Sequence, residues 1–257
     1  MKEGAIMRVS LFVTCLADTC FPHVAESVVR LLHRLGCEMD FPPLQTCCGQ
    51  PAFNSGYHDD AREVARQWIT AFEHSDYVVT PSGSCAGMVH HYYEDLFMDE
   101  PEWLEKAKRL IERTYEFSQF IVQVLGRTDI GAAFDGKATY HPSCHATRLL
   151  GITEEPMLLL QQVKGLTLVD LPHKEDCCGF GGTFAIKMPE MSEAMVTEKA
   201  QYVVDTEADI LIGSDMGCLM NIGGRLNKEG RPIRIMHLAE LLEEGVKRRE
   251  HNFIQQR

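Results

Sequence analysis

The motif Cys47-Cys48-Gly49 occurs a second time, as Cys177-Cys178-Gly179, in a chain of 257 residues. The two copies are separated by about half of the chain, and repetition at a fixed period indicates a duplicated structural unit. We therefore predict two tandem units, residues 1–132 and residues 133–257, related by a pseudo-two-fold axis.

Two further cysteines in each half repeat with nearly the same spacing. Each half has one cysteine before its Cys-Cys-Gly motif and one after it. The repeated residues are Cys15, Cys47, Cys48 and Cys85, the first thiol set, and Cys144, Cys177, Cys178 and Cys218, the second thiol set. The surrounding residues repeat as well, since Val9–Cys15 parallels Ala138–Cys144. Agreement in both spacing and context favours duplication over coincidence.

Short apolar segments alternate with amphipathic segments in both halves. The apolar segments predict buried strands at 8–14, 77–80, 138–141, 166–171 and 210–212, and the amphipathic ones predict helices at 24–35, 60–72 and 192–204. This alternation predicts an α/β fold of βαβ-type units with parallel sheets. Such sheets hold ligands at the C-terminal ends of their strands, where we expect each thiol set to converge on a metal site. The charged stretch Pro101–Gly126 predicts a solvated helix between the halves.

The composition excludes several classes of function. The 25 basic and 37 acidic side chains give a net charge of −12, which argues against a nucleic-acid partner. No apolar stretch is long enough to span a membrane, and the N-terminal segment lacks the features of a secretory signal. We therefore expect a cytoplasmic protein. In that reducing compartment, grouped cysteines bind metal or do redox chemistry more often than they form disulfides.

Four thiols per half suit a thiolate-bound metal centre, either zinc or the iron of an iron–sulfur cluster. Adjacent cysteines fit an extended cluster better than a single ion, because their side chains tend to diverge. The glycines beside the motifs allow the backbone to approach a cluster closely, and they are Gly49, Gly179, Gly181 and Gly182. His141 and His145 flank Cys144, and either a hydrogen bond to the metal group or a structural role remains open for them. We predict no catalytic residue.

These motifs resemble a known family, the cysteine-rich CCG domain proteins. The similar segments are Phe12–Leu16, Gln45–Gly56, Pro81–Met88, Tyr140–His145, Glu175–Phe184 and Ser214–Met220. The family includes a subunit of heterodisulfide reductase and the iron–sulfur subunits of glycolate and anaerobic glycerol-3-phosphate dehydrogenases. Over nearly the whole chain, the resemblance is greatest to the lactate utilization protein A family.

The resemblance implies a cytosolic iron–sulfur subunit that transfers electrons in a complex oxidising L-lactate to pyruvate. It implies iron–sulfur clusters, with zinc as an alternative in one half. It also implies two partners, a ferredoxin-type iron–sulfur protein and a further utilization subunit. The chain would then be a non-autonomous component of an L-lactate dehydrogenase complex.

One departure from the family pattern bears on the cluster type. The fuller pattern ends in Cys-x-x-Cys, whereas this chain has Met88 and Asn221 at the last position. We therefore expect four thiolates and one [4Fe–4S] cluster per half, in place of the five-cysteine, non-cubane cluster of the reductase relatives. Cys20 and His145 are candidate accessory ligands.

Two alternative functions remain open from the sequence. The reductase relatives suggest thiol–disulfide reduction at a cluster, and the absence of the fifth cysteines weakens that interpretation. A zinc-stabilised structural or assembly subunit is the other alternative, with one zinc ion per half.

Overall fold

A computed structural model describes the backbone of residues 7–255 and the side chains of residues 7–251. It contains two units, each built on a four-stranded sheet in which every pair of neighbouring strands is parallel. The prediction of an α/β fold with two tandem parallel-sheet units is therefore confirmed. The boundary after residue 132 stays a prediction.

The first unit has the strand order β2-β1-β3-β4. Its elements, in chain order, are β1 (Met7–Leu11), α1 (Cys15–Cys20), α2 (Pro22–Arg34), β2 (Cys37–Asp40), α3 (Gln50–Asn54), α4 (His58–Phe72), β3 (Tyr77–Thr80), α5 (Gly83–Leu96), α6 (Pro101–Ile111), β4 (Thr114–Glu116) and α7 (Phe117–Gln119). A π-helical turn, Phe120–Val124, continues directly from α7.

The second unit has the corresponding strand order, β6-β5-β7-β8. Its elements are β5 (Ala133–His141), α8 (Cys144–Arg148), α9 (Glu155–Gln161), β6 (Lys164–Val169), α10 (Phe184–Lys187), α11 (Pro189–Asp205), β7 (Ile210–Gly213), α12 (Met216–Lys228), β8 (Arg234–His237) and α13 (Leu238–Gln255). Each strand of one unit therefore has a counterpart of the same rank in the other.

The cores of the two units differ in their side chains. The first is largely aromatic, and its fully buried rings are Phe12, Trp68, Phe72, Tyr93 and Phe97. The second is largely aliphatic, with Leu211, Leu219, Ile222 and Leu226 at its centre. Both bury enough apolar surface to fix the helices that carry the cysteines.

The last helical segment of each unit packs on the other unit. Helix α13 lies against α2, and the π-helical turn after α7 lies against α9. Leu31 and Leu241 belong to the same buried cluster as Phe120 and Leu159. This exchange holds the two sheets in a fixed relation, because separating them would expose that cluster to water.

The structure corrects one sequence prediction. Pro101–Gly126 is not one helix: α6 ends at Ile111 and is followed by β4, α7 and the π-helical turn. Phe117, Phe120 and Ile121 are fully buried, so this part of the stretch belongs to the core and not to the solvated surface. Among residues 7–255, no helix is both long and apolar enough to cross a membrane.

Candidate metal centre

The first thiol set lies beyond the C-terminal ends of the strands of its sheet. Cys15 begins α1, Cys47 and Cys48 end the loop before α3, and Cys85 lies in the first turn of α5. Cys15 Sγ is 3.7 Å from Cys47 Sγ, and Cys48 Sγ is 3.4 Å from Cys85 Sγ. The thiols of Cys47 and Cys48 also interact, so the four sulfur atoms form one chain of contacts.

The second thiol set has the same arrangement. Cys144 begins α8, Cys177 and Cys178 precede α10, and Cys218 lies in the first turn of α12. In this set, Cys178 Sγ and Cys218 Sγ lie within 4.8 Å of each other, and Cys144, Cys177 and Cys178 lie close enough together to shift one another's pKa values. The sequence expectation that four thiols of each half converge is confirmed, while their role as metal ligands stays a prediction.

The glycine after each cysteine pair fixes the direction of the first thiol. Gly49 and Gly179 have φ angles of 87° and 81°, which residues with a side chain rarely adopt. In this conformation, Gly49 N donates to Cys47 Sγ and Gly179 N donates to Cys177 Sγ, each at 3.4 Å. An N–H group aimed at sulfur stabilises negative charge there, whether on a free thiolate or on a bound metal group.

Each thiol set has one sulfur that readily carries negative charge. Donation from the Cys15 thiol, followed by that from Cys48, lowers the pKa of Cys47 to about 3. The corresponding contacts from Cys144 and then Cys178 lower the pKa of Cys177 to about 2. The donor thiols have their pKa values raised, because each loses its hydrogen bond on ionisation. A thiolate that is already available in each set is the form that binds a cation.

Both thiol sets open into one cavity of about 380 Å³. All eight repeated cysteines line it, and so do His145, Gly181 and Gly182. The cysteines range from exposed Cys15 to buried Cys48 and Cys178. The fold therefore places two groups of thiols around a common space and not on opposite sides of the molecule.

A buried carboxylate joins the two halves beside this cavity. Asp215 is 5% exposed, and its Oδ2 accepts hydrogen bonds from Ser84 N at 2.9 Å and Ser82 Oγ at 3.2 Å. Its Oδ1 accepts from Gly217 N at 3.0 Å and so caps α12. Sequence analysis missed this residue, although an aspartate just before a helix start is a recognised capping signal.

The donor set fits a thiolate-bound metal group. Two thiolates bound to one tetrahedral ion at about 2.3 Å lie about 3.8 Å apart, close to the 3.7 Å between Cys15 Sγ and Cys47 Sγ. In the second half, both ring nitrogens of His141 and the hydroxyl of Ser143 are buried without a hydrogen-bond partner in the part of the chain that the structure describes. Unpaired buried polar atoms beside four thiols are expected where a polar or charged group binds.

The remaining predicted residues take different positions. Cys20 is exposed at the end of α1 and is not among the residues that line the cavity. His145 Nδ1 lies 3.6 Å from Cys144 Sγ. Met88 is fully buried in the core of the first half, whereas Asn221 Nδ2 donates to the carbonyl oxygen of Cys178 at 2.8 Å. Thus the side chains that replace the family's fifth cysteines have packing and hydrogen-bonding roles.

Comparison with known proteins gives the same division of the chain. Residues 9–90 and 138–223 each match the family of cysteine-rich domains designated CCG. The chain is 57% identical over 240 residues to lactate utilization protein A 1 of Bacillus anthracis, covering 93% of this chain and 99% of that protein. It is 56% identical over 244 residues to lactate utilization protein A of Halalkalibacterium halodurans, covering 95% and 100%.

A solved structure shows the same fold. A hypothetical protein from Helicobacter pylori superimposes with a TM-score of 0.66 at 11% identity, covering 93% of this chain. The chain spans about half the length of that protein, 49%. Both domain matches and the extent of the sequence identity lead to one assignment. The chain belongs to the lactate utilization protein A family of cysteine-rich CCG domain proteins.

Proposed function

We propose that this protein is an iron–sulfur electron-transfer subunit of a system that oxidises L-lactate to pyruvate. The observation that carries the proposal is the cavity that all eight repeated cysteines share. The names of its relatives supply the connection with lactate. Two thiolate sites facing one space can pass electrons between them, whereas two structural sites would gain nothing from that placement.

The residues of the two thiol sets would each hold one [4Fe–4S] cluster. Such a cluster accepts and releases one electron at a time, so two clusters match the two electrons that leave L-lactate when it becomes pyruvate. The chain supplies position and environment. Gly49 N and Gly179 N donate to sulfur, and buried Cys48 and Cys178 keep water from one side of each site. Burial and hydrogen bonds to sulfur are two of the features that set a cluster's potential.

The proposal extends to partners and location. A ferredoxin-type iron–sulfur protein and a further utilization subunit would exchange electrons with this chain in the cytoplasm. The open mouth of the cavity, where Cys15 is exposed, is the side from which a partner's redox centre would approach. No residue of this chain is assigned to proton abstraction from lactate, which we place on a partner.

The test is anaerobic purification, followed by analysis of iron, acid-labile sulfide and zinc and by optical spectra before and after dithionite. We expect about eight iron and eight sulfide per chain, with a brown colour that bleaches on reduction. Mixing the reduced protein with the copurifying partners and measuring reoxidation would then establish transfer. Absence of both iron and sulfide from protein kept under nitrogen would contradict the proposal.

A second candidate is a zinc-stabilised structural or assembly subunit. The sulfur–sulfur separation of 3.7 Å between Cys15 and Cys47 favours it, because it is close to the edge of a single-ion tetrahedral site, about 3.8 Å. Two points weigh against this candidate. Metal-free thiols that hydrogen-bond to one another give similar sulfur–sulfur separations, and two adjacent cysteines do not easily bind the same ion. The analysis of iron, sulfide and zinc distinguishes this candidate from the electron-transfer subunit, because the zinc candidate requires colourless protein with one zinc ion per half.

A further inference from the structure

His141 is the least explained polar side chain near the cysteines. It is the last residue of β5 and is 2% exposed. Among residues 7–251, neither of its ring nitrogens has a hydrogen-bond partner. Leaving a buried polar atom unpaired is unfavourable, so a histidine in this position is expected to have a partner that protein atoms do not provide.

The neighbours of the ring indicate what that partner is. One ring nitrogen of His141, Cys178 Sγ and Cys218 Sγ all lie within 4.8 Å of one another. Each of the three residues is buried. An imidazole nitrogen and two thiol sulfurs at this spacing can reach one metal atom, since their bonds to zinc are about 2.0–2.3 Å long. Iron also accepts imidazole ligands.

The first half has no nitrogen at the equivalent position. Its residue in the position of His141 is Phe12, as the alignment of Val9–Cys15 with Ala138–Cys144 shows. The Phe12 ring meets Trp68 edge-on at 5.6 Å and Phe72 at 5.7 Å. It is therefore a fully buried part of the aromatic core and offers no donor atom to the first thiol set.

We propose that His141 is a nitrogen ligand of the metal group bound by the second thiol set. The two halves then hold chemically different sites: the first has thiolate ligands only, and the second has thiolates and one imidazole. The proposal rests on metal binding by the second thiol set, which is part of the proposed function. Because a [4Fe–4S] cluster takes four protein ligands, His141 fills one position and three thiols of the second set fill the others. Exchanging thiolate for imidazole raises the potential of an iron–sulfur centre, so the second site would be the better electron acceptor.

The test uses the full chain labelled with ¹⁵N-histidine and reconstituted with iron and sulfide under nitrogen. Pulsed EPR of the dithionite-reduced protein is expected to show a ¹⁵N coupling, which His141→Phe removes. His141→Gln removes it as well while keeping a polar side chain, and it serves if the phenylalanine variant folds poorly. His145→Phe is the matched control, because that ring lies 3.6 Å from Cys144 Sγ, and it is expected to keep the coupling.

The outcomes separate this inference from the proposed function. A reduced cluster without ¹⁵N coupling, or a coupling lost only in His145→Phe, overturns the ligand role and leaves the electron-transfer proposal standing. If iron and sulfide do not bind, the proposed function fails, and the same labelled chain is loaded with Co²⁺ as the probe metal. A ¹⁵N coupling to Co²⁺ that disappears in His141→Phe then supports the ligand role, and its absence overturns it.

Discussion

The two thiol sets are alike in their sulfur atoms and different in what surrounds them. In each set, the four thiols line the same cavity, and the glycine after the pair donates to the first sulfur at 3.4 Å. Beyond the sulfurs, Phe12 in the first half stands where the second half has His141. The positions of the thiols thus follow from the repeated motif, while the surroundings of each thiol set depend on positions outside it.

The last strands of the two sheets, β4 and β8, also end in different residues. Glu116 ends β4 and His237 ends β8, and each side chain caps the helix that follows. Glu116 Oε2 accepts from Ser118 N at 2.8 Å, and His237 Nδ1 accepts from Ala239 N at 3.1 Å. One role is thus filled by an acid in the first half and by a base in the second, so the halves should respond to pH in opposite directions.

Removing one thiol from the middle of a set should have the largest effect. Cys178→Ser is expected to abolish metal binding in the second half, because serine is a poor ligand for iron and zinc. Cys48→Ser is the matched variant of the first half. Each should lower the iron content to about half that of the unchanged protein, and their reduced spectra should differ because the surviving site differs.

Iron and sulfide analysis, with EPR of the reduced state, measures this outcome. Circular dichroism of each variant shows whether the other half remains folded. Cys20→Ser is the control, because Cys20 is exposed and lies outside the cavity lining. Full iron content in Cys178→Ser would remove Cys178 from the ligand set, and identical spectra of the two cysteine variants would show that the sites are equivalent.

The next largest effect should come from Glu116 and His237. It concerns the way in which the free energy of unfolding depends on pH. Burial raises the pKa of Glu116 to about 7 from an ordinary value of 4.5, and burial lowers the pKa of His237 to about 4 from 6.5. The folded state binds the Glu116 proton more tightly, so stability from this group is present below pH 4.5 and is lost as the pH rises through about 7. Stability from His237 is present above pH 6.5 and is lost as the pH falls through about 4.

Single substitutions should separate these opposing effects. In Glu116→Gln, the free energy of unfolding is expected to rise with pH across the range in which His237 titrates. In His237→Gln, it should rise less with pH than in the unchanged protein, by the contribution of His237 alone, because Glu116 and His141 still titrate. Each change amounts to about 3 kcal/mol, since one pKa unit corresponds to about 1.36 kcal/mol. Urea unfolding at several pH values, at equal metal loading, measures the slopes; parallel curves for both variants would contradict the assignment.

The glycine positions should show a smaller difference between the halves. A Cβ at Gly179 would lie 2.8 Å from Ser192 O and 2.9 Å from Met195 Cβ, whereas at Gly49 the nearest atom is Ala61 O at 3.2 Å. Both have positive φ, so alanine costs about 1–2 kcal/mol at either site. The closer contacts at Gly179 should add about 1–2 kcal/mol.

Urea unfolding of Gly179→Ala and Gly49→Ala compares the two costs directly. Gly224→Ala is a suitable control for the substitution itself, because a Cβ there meets no atom within 4 Å. Equal destabilisation of the two motif glycines would show that α11 shifts away from Gly179 at no cost, and that the halves are equally tolerant at this point.

The sequence could predict these motifs because periodicity and chemistry agree there. The strand predicted at 77–80 coincides with β3, and the repeated cysteines come together as the alternation of strands and helices requires. Edge strands are harder to predict. Cys37–Asp40 contains two acidic residues and lacks an apolar run, and Thr114–Glu116 is only three residues long. Both form because a neighbouring central strand provides hydrogen bonds, which a local pattern does not show.

Contacts between the halves lay beyond sequence reasoning for another reason. An amphipathic helix shows which face is buried but not what covers it, so the packing of α13 on α2 and of the π-helical turn on α9 was not predictable. The same holds for His141, whose environment depends on the positions of Cys178 and Cys218, far away in sequence. Sequence analysis could only leave its role open.

The smallest predicted effect concerns the hydrogen bond that joins the halves. Asp215 occupies the position that Ser82 has in the first half, and each caps the helix carrying the last cysteine of its set. Ser82 Oγ donates to Asp215 Oδ2 at 3.2 Å, so Ser82→Ala and Asp215→Asn should each destabilise the chain by about 1–2 kcal/mol.

Because the two side chains contact each other, the double variant should lose less stability than the two single variants together. The difference in the free energy of unfolding should be about 0.5–1 kcal/mol. Urea unfolding of the four proteins in this cycle measures that coupling. Strict additivity would show that the Ser82–Asp215 hydrogen bond contributes nothing to stability, which leaves Ser84 N and Gly217 N as the partners of Asp215. A positive coupling would show that this polar contact beside the cavity helps to hold the two cysteine-bearing helices together.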